Sequence, residues 1–332
     1  MDFSMFLTLQ LPVLVAVLVG VPAVLAVYIV GLELLVRRLP DGVRPSVRPW
    51  VWVGPALVFV VVFLVYPAID TIRLSLMNRS GAFVGLDNYG SVLRDFPTGP
   101  GWTAIRDNLF WLVLYTGFVL VFGLLLAVLT DRVPYEVLTK SLIFMPMAIS
   151  ATALGVIWKF MYSYQPPGAP QTGTMNAIVT GLFHAQPLTW LQDPRINNFA
   201  LIAAAVWGIT GFSMVILSAA LKGIPGELLE AARVDGAGEL TIFRRVIFPL
   251  LMPTITVVGT TLVIFALKAF DVVYVMTQGN FQTDVLANAM FFQLFNFGNP
   301  GRAGALAVIL LLAVIPVLIF NLRQMRAVEA RR

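Results

Sequence analysis

The chain has 332 residues, of which 59% are hydrophobic and only 12% charged, with 22 Lys and Arg against 17 Asp and Glu. A soluble domain carries about 25% charged residues, so these charges cannot cover a soluble surface, and a mean hydropathy of +0.87 makes lipid the solvent for much of the chain. The absence of cysteine excludes disulfides, thiolate metal sites and cysteine nucleophiles; a single histidine, His184, excludes histidine-rich metal centres; and the basic excess reads as cytoplasmic loops of a membrane protein, not as a nucleic-acid surface.

Seven apolar segments are long enough to span: Leu9–Leu35, Val51–Ile69, Leu109–Leu129, Leu142–Met161, Ala200–Leu221, Leu250–Phe270 and Ala303–Phe320. Crossing roughly 30 Å of hydrocarbon takes about 17–25 helical residues. Backbone groups find no water in lipid, so each segment is expected to be a helix, and no alternating strand pattern competes. Pro55, Pro67, Pro146, Gly208, Gly211 and Pro316 fall inside spans, where membrane helices tolerate them. The first segment reads as a retained helix: no Lys or Arg precedes Arg37, and the apolar stretch is too long for a secretory signal. The fold class is therefore all-α integral membrane, with about seven transmembrane helices.

Basic residues set the expected orientation. With the N-terminus external, the cytoplasmic segments hold Arg37, Arg38, Arg44 and Arg48; Arg132 and Lys140; Lys222, Arg233, Arg244 and Arg245; and Arg323, Arg326, Arg331 and Arg332. The external side keeps Arg73, Arg79, Arg94, Arg106, Lys159, Arg195, Lys268 and Arg302. This asymmetry predicts an external N-terminus, a cytoplasmic C-terminus and a cytoplasmic loop at 224–253. Glu33 then lies near the cytoplasmic end of the first span, where it reaches water. The external connections are long, at about 70–108, 162–199 and 271–302, and the second carries the turn-rich stretch Gln165 to Gly173. His184 is an isolated loop residue there.

On the fifth span, Thr210, Phe212 and Ser213 sit beside Gly208 and Gly211. Intramembrane polar residues are functional candidates by default, so these three are candidates for a solute path, with Phe212 a stacking surface or plain packing.

The loop that follows reads Gly223 to Pro253. Pro225 suits a helix start, because its missing N–H is not needed there, and Glu227 and Glu230 suit the positive end of the helix dipole. Leu228, Leu229 and Ala232 can share one face, and small Ala231 and Ala232 let another protein approach the backbone. Asp235-Gly236 signals a turn, with Gly236 free to take a positive φ. A second short helix is expected from about Gly238 to Ile247, with Leu240, Phe243 and Val246 or Ile247 apolar and Arg244 and Arg245 polar. Pro249 and Pro253 mark the return to the membrane. A helix lying on lipid headgroups explains the apolar stripe and the arginines. It does not explain Glu-Ala-Ala, the Asp-Gly turn or two acids against an anionic surface, so a protein-docking element is the stronger reading.

On the sixth span, Phe265 precedes Lys268 and Asp271, whose spacing of three allows a shared helix face near the outer end. Two readings stand for that pair: a polar lining of a solute path, or a lysine that snorkels to headgroups or pairs with the aspartate. No mid-span Asp or Glu supplies the proton relay of a secondary transporter. No nucleophile, base or metal-ligand set converges as an enzyme requires.

The loop residues Glu230-Ala231-Ala232, then Gly236, then an apolar run to Pro249 resemble the EAA loop of binding-protein-dependent ABC import permeases. The longer pattern, Ile224-Pro225, Glu230 to Ala237, Phe243, Pro249-Leu250-Leu251 and Pro253, resembles the carbohydrate, maltose-permease-like branch. Val246 and Phe248 stand where the general pattern prefers Ile and Leu. The resemblance extends to Phe83–Tyr89, Trp190–Pro194, Trp207–Phe212, Phe270-Asp271 and Met276–Gly279, and departs at Asn280-Phe281, where the branch continues Gly-Pro. It implies a six-helix type I importer core over residues 50–322, an added N-terminal helix with its linker over 1–49, and a cytoplasmic tail at 323–332.

No Gly-x-x-x-x-Gly-Lys-Ser/Thr stretch occurs. By the resemblance, ATP and Mg bind a separate ATPase dimer and this chain needs no cofactor. Glu230 is then the polar contact to the ATPase, Gly236 sets the bend, Leu228, Leu229 and Phe243 give apolar contact, and Ala231, Ala232 and Asp235 complete the docking element. The resemblance further implies a second permease subunit of similar fold, an external solute-binding protein and a location in the bacterial inner membrane. The solute expected is a sugar, such as an oligosaccharide or α-glucoside. The alternative is another polyol-like solute such as glycerol phosphate, which calls for more Lys or Arg in the path than Lys268.

Overall fold

A computed structural model describes residues 11–94, 99–131 and 133–329. Leu9 at the start of the first expected span lies outside the described residues, as do Arg132, Arg331 and Arg332. The chain packs as two units, Met1–Asp70 and Thr71–Arg332.

The first unit holds α1 (Leu11–Arg37) and most of α2 (Arg44–Ser75). The apolar stretch of each stays unburied by the chain itself, as lipid-facing helices do. At the polar end, Glu33 accepts from Arg37 at 3.3 Å and Arg48 at 3.1 Å. The Arg44 guanidinium caps α1 by donating to the Arg37 and Leu39 carbonyls. A π turn at Val61–Val65 precedes Pro67 by two residues. Proline has no N–H and its ring collides with the preceding turn, and the wider turn accommodates it.

The second unit contains α3 (Asp87–Leu93), α4 (Pro100–Thr130), α5 (Glu136–Ala148), α6 (Ala151–Met161), α7 (Thr174–Gly181), α8 (Asn197–Lys222), α9 (Gly226–Val234), α10 (239–267), α11 (Asp271–Met276), α12 (Leu286–Phe291) and α13 (Pro300–Glu329). Among the described residues, six helices are long and apolar enough to cross a membrane, and the bent pair α5–α6 makes up to seven.

Three sequence expectations need correction. Leu142–Met161 is not one helix, because α5 and α6 meet at a bend of 98°. Pro146 tightens the end of α5 into a 3-10 turn, and the Ser150 hydroxyl accepts the Ala153 N–H to start α6 afresh. The second loop helix is not separate either: it runs from Glu239 through a π turn at Phe243–Ile247 into the span. That turn precedes Pro249 by two residues, the same device as at Pro67. Lys268 and Asp271 do not share a helix face, because α10 stops at Leu267 and Asp271 opens α11.

The core sits around α8, which packs along α4. Leu201, Met214 and Leu217 of α8 are fully buried. Small residues set the approach of the helices, as in membrane bundles generally. A Cβ on Gly123 of α4 would meet Ser213 Oγ at 2.4 Å, and one on Gly211 would meet the Ile143 carbonyl and Phe144 Cα at 2.7 Å.

Polar side chains tie residues 280–288 to the starts of α4 and α8 and the end of α10. Asn108 accepts the Leu286 N–H at 2.7 Å and donates to the Ala266 and Leu267 carbonyls at 3.4 Å. The turn at Asn280-Phe281 holds Gln278, Phe281 and Gln282 at positive φ. Asn197 and Asn198 donate to the Phe281 and Gln282 carbonyls at 2.7 and 3.2 Å, which holds this disfavoured backbone in place. Beside it, half-buried Asp284 accepts from Asn288 and the Val285 N–H. Burial pushes its carboxyl up to about 6, against the lowering effect of those hydrogen bonds.

Candidate functional site: a docking element and an intramembrane cavity

The element at 224–253 builds from its turn. Helix α9 ends in a Schellman closure: Gly236 donates to the Arg233 carbonyl and Ala237 to the Ala232 carbonyl, both at 3.0 Å. Gly236 has φ +79°, and a Cβ there would touch nothing within 4 Å. The glycine is therefore required by backbone conformation and not by space. Gly238 then opens α10 by accepting from Thr241 and Ile242. Arg233 Nε lies 3.1 Å from Glu239 Oε1, an exposed pair that spans the turn.

Helix α9 buries no residue within this chain. Leu228, Glu230, Ala231 and Asp235 are exposed, and Leu229, Ala232 and Phe243 are half-buried. Val234 is 88% and Leu240 79% exposed. Leu229 and Ala232 thus share the inner face and Leu228 turns outward with Glu230. Ile242 is buried and anchors the start of α10.

Just ahead of this element lies an ionic junction that the sequence reading missed. Lys222 ends α8 and sits 2.6 Å from Glu136, which begins α5, and 3.9 Å from Asp131. Lys140 pairs with the same carboxylate and with the Ser218 hydroxyl. The i,i+4 spacing of Glu136 and Lys140 was a legible signal; the approach of Lys222, 86 residues away, was not.

A cavity of about 310 Å³ lies where two helix breaks face each other. Ile149 and Ala151 come from the α5–α6 bend, and Lys268, Phe270 and Asp271 from the α10–α11 break. Thr152 links the breaks by donating to Asp271 Oδ1 at 3.5 Å. Trp111 and Tyr115 of α4, 5.9 Å apart at ring centroids, form an aromatic wall, and Gly208 of α8 lines the cavity beside Leu154. Lys268 and Asp271 are both exposed. Among the described residues no ion pair joins them.

The six path candidates divide by helix geometry. Phe265, Lys268 and Asp271 line the cavity. Phe212 packs behind Phe265 at 6.4 Å between rings. Thr210 donates to the Val206 carbonyl and turns to a different, apolar pocket. Ser213 is fully buried in the α4–α8 seam. On α8 the cavity is lined by Ala205, Gly208 and Ile209; Thr210 lies about 100° further round the helix, and Ser213, one turn beyond Ile209, is taken up by its contact with Gly123 of α4. Trp111, Tyr115 and Phe270 were missed; the i,i+4 aromatic spacing on α4 was the available signal.

Long apolar helices with interior breaks around a cavity that carries one acid and one base, and an unburied helix–turn–helix element between two spans, define a multi-pass membrane protein. Residues 119–332 match the family described as binding-protein-dependent transport system inner membrane component. The chain is 50% identical over 282 residues to the osmoprotective compounds uptake permease protein of Synechocystis sp., covering 85% of this chain and all of that one. It is 45% identical to the alpha-glucoside transport system permease protein of Rhizobium meliloti, covering 84% of this chain and 82% of that one. Its fold matches the bacterial alginate ABC transporter solved in complex with alginate pentasaccharide-bound periplasmic protein, with a TM-score of 0.74 at 20% identity, over 88% of this chain and 98% of that one. The chain belongs to the family of binding-protein-dependent transport system inner membrane components, as a multi-pass permease subunit.

Proposed function

We propose that this permease subunit imports a neutral polyhydroxylated solute, an oligosaccharide or α-glucoside, through the cavity between the two helix breaks. The cavity carries the reading: it sets aromatic faces at Trp111, Tyr115 and Phe270 beside one acid and one base whose charges cancel. Rings stack on sugar faces, and Asp271 and Lys268 bond hydroxyls. A phosphate-bearing solute fits less well, because Asp271 offsets the only cation in the lining. The alpha-glucoside permease among its relatives supports the same class.

The element at 224–253 seats on a separate ATPase dimer that binds ATP and Mg. Glu230 makes the polar contact, Gly236 holds the bend, and Leu228, Leu229, Ala231, Ala232, Asp235 and Phe243 form the remaining surface. A second permease subunit completes the path, and a solute-binding protein docks on the external connections. The N-terminus is external and the C-terminus cytoplasmic, with residues 50–322 as the transporting core. The test is reconstitution with the ATPase and binding protein, measuring which sugar-loaded binding protein stimulates ATP hydrolysis and uptake. Uptake that persists without ATP and follows a proton gradient would overturn the reading.

A further inference from the structure

A second cavity, of about 810 Å³, runs down the outer valley between α4 and α8 and is almost entirely apolar. Its walls are two ridges at i,i+4 spacing, Phe118 and Phe122 on α4, whose rings stack at 5.8 Å, and Phe199, Ala203 and Trp207 on α8, with Leu142 and Pro146 of α5 as a third, equally apolar side. The one hydroxyl in the lining, Thr210, is already spent on the Val206 carbonyl. The valley asks nothing polar of an occupant.

Its upper end is different. Phe199 also lines a smaller cavity of about 290 Å³, whose charged lining residues are Arg106 and Arg195. Asp107 pairs with Arg106 from a fully buried position beneath it. Asp193 accepts the backbone N–H of Arg195, while the Arg195 side chain is exposed and forms no ion pair among the described residues. At the lower end α5 crosses α8 at Gly211, and Leu126 and Ile143 are the last lining residues of α4 and α5 there. From Phe199 to Thr210 the open valley is about 17 Å long at 1.5 Å per residue. One leaflet of hydrocarbon is about 15 Å, half of roughly 30 Å. A spanning helix of a partner would need a valley open through both leaflets.

We infer that the valley is a binding site for an anionic phospholipid, its phosphate at the Arg106 and Arg195 mouth and one acyl chain against the Phe118, Phe122 and Trp207 ridges. The guanidinium groups offer charge-assisted donors to phosphate oxygens, and a dry apolar wall takes the chain.

The test uses the assembled transporter, isolated through an affinity tag on this chain, with phosphatidylglycerol and phosphatidylethanolamine offered at equal concentration. Native mass spectrometry reads the lipid retained. The wild type should hold phosphatidylglycerol several-fold over phosphatidylethanolamine. Arg195→Ala should lose that preference and Arg195→Lys should keep part of it, while Ala203→Trp, which fills the valley, should lose both lipids at this site. Millimolar inorganic phosphate should not displace the lipid, because phosphate alone lacks the chain. An unchanged preference in Arg195→Ala overturns the inference. So does crosslinking of Ala203→Cys, the sole cysteine of such a chain, to another polypeptide in the assembled transporter, which would show that protein fills the valley.

Discussion

Lys222, the last residue of α8, lies 2.6 Å from Glu136, the first residue of α5. The element at 224–253 begins two residues after Lys222, and α5 ends in the bend that lines the cavity. One carboxylate therefore ties the end of α8, next to that element, to the broken span. Lys140 shares that carboxylate, so Glu136→Gln leaves two cations facing a neutral group. The expected outcome is a small drop in thermal midpoint that shrinks as salt is raised, since exposed pairs are screened. Melting curves at low and high ionic strength check it.

Gly236 holds φ +79° with open space around it. A left-handed conformation costs an L-residue with a Cβ roughly 1–2 kcal/mol, and Asn tolerates it better than Ala. Gly236→Ala and Gly236→Leu should insert normally but lower transport per ATP hydrolysed, with Gly236→Asn closer to wild type. Glu230→Lys should do the same through charge alone. Wild-type uptake in a purified Gly236→Leu complex would refute the role of the turn.

Two glycines on α8 should respond differently to one added methyl. At Gly211 the new Cβ meets backbone, the Ile143 carbonyl and Phe144 Cα at 2.7 Å; at Gly208 it meets the end of the Leu154 side chain at 2.4 Å. A side-chain tip can rotate and a helix backbone cannot. Gly211→Ala should cost about 1–3 kcal/mol by overpacking, and Gly208→Ala less despite the shorter contact. Thermal stability of the detergent-solubilised variants gives the ranking.

Asp284 carries a carboxyl pushed up to about 6 by burial, against 3.8 unperturbed. The native state therefore holds this proton more tightly than the unfolded state. Its contribution to stability is fully present below about pH 3.8 and is lost as pH rises through about 6. Asp284→Asn keeps an acceptor for Asn288 and the Val285 N–H without the charge. The variant should gain on the wild type between pH 4 and 7, read as the difference in melting midpoint across that window. A constant difference would rule out titration of Asp284.

At the cavity, Asp271→Asn should raise the half-saturating solute concentration for uptake about tenfold or more, because hydrogen bonds to a charged group are worth about 1.5–3 kcal/mol. Ser213→Ala, away from the cavity, should leave that concentration unchanged. Initial uptake rates in proteoliposomes separate the two.

Much of this was legible from residue order. Apolar runs of spanning length place helices wherever lipid removes water from the backbone. The Asp-Gly pair after Glu-Ala-Ala places a glycine turn at the end of an exposed helix, because positive φ is a local demand that a single residue type meets. Proline positions were legible as interruptions but not as outcomes. Pro67 and Pro249 sit in helices that continue through a wider turn, while Pro146, with Ser150 after it, produces a bend of 98°.

Sequence by itself determined the solvent of this protein, its helical class, its family pattern and the chemistry of its loop, because each depends on composition or on neighbours a few residues apart. Tertiary structure alone decided which faces of those helices meet. It put Trp111 and Tyr115 opposite Asp271, buried Ser213 against Gly123, turned Thr210 to the outer valley and brought Lys222 to Glu136. In a chain apolar on every side, hydrophobicity no longer marks the inner face of a helix. Glycine and serine contacts between distant segments set the packing, and those are settled only when the helices touch.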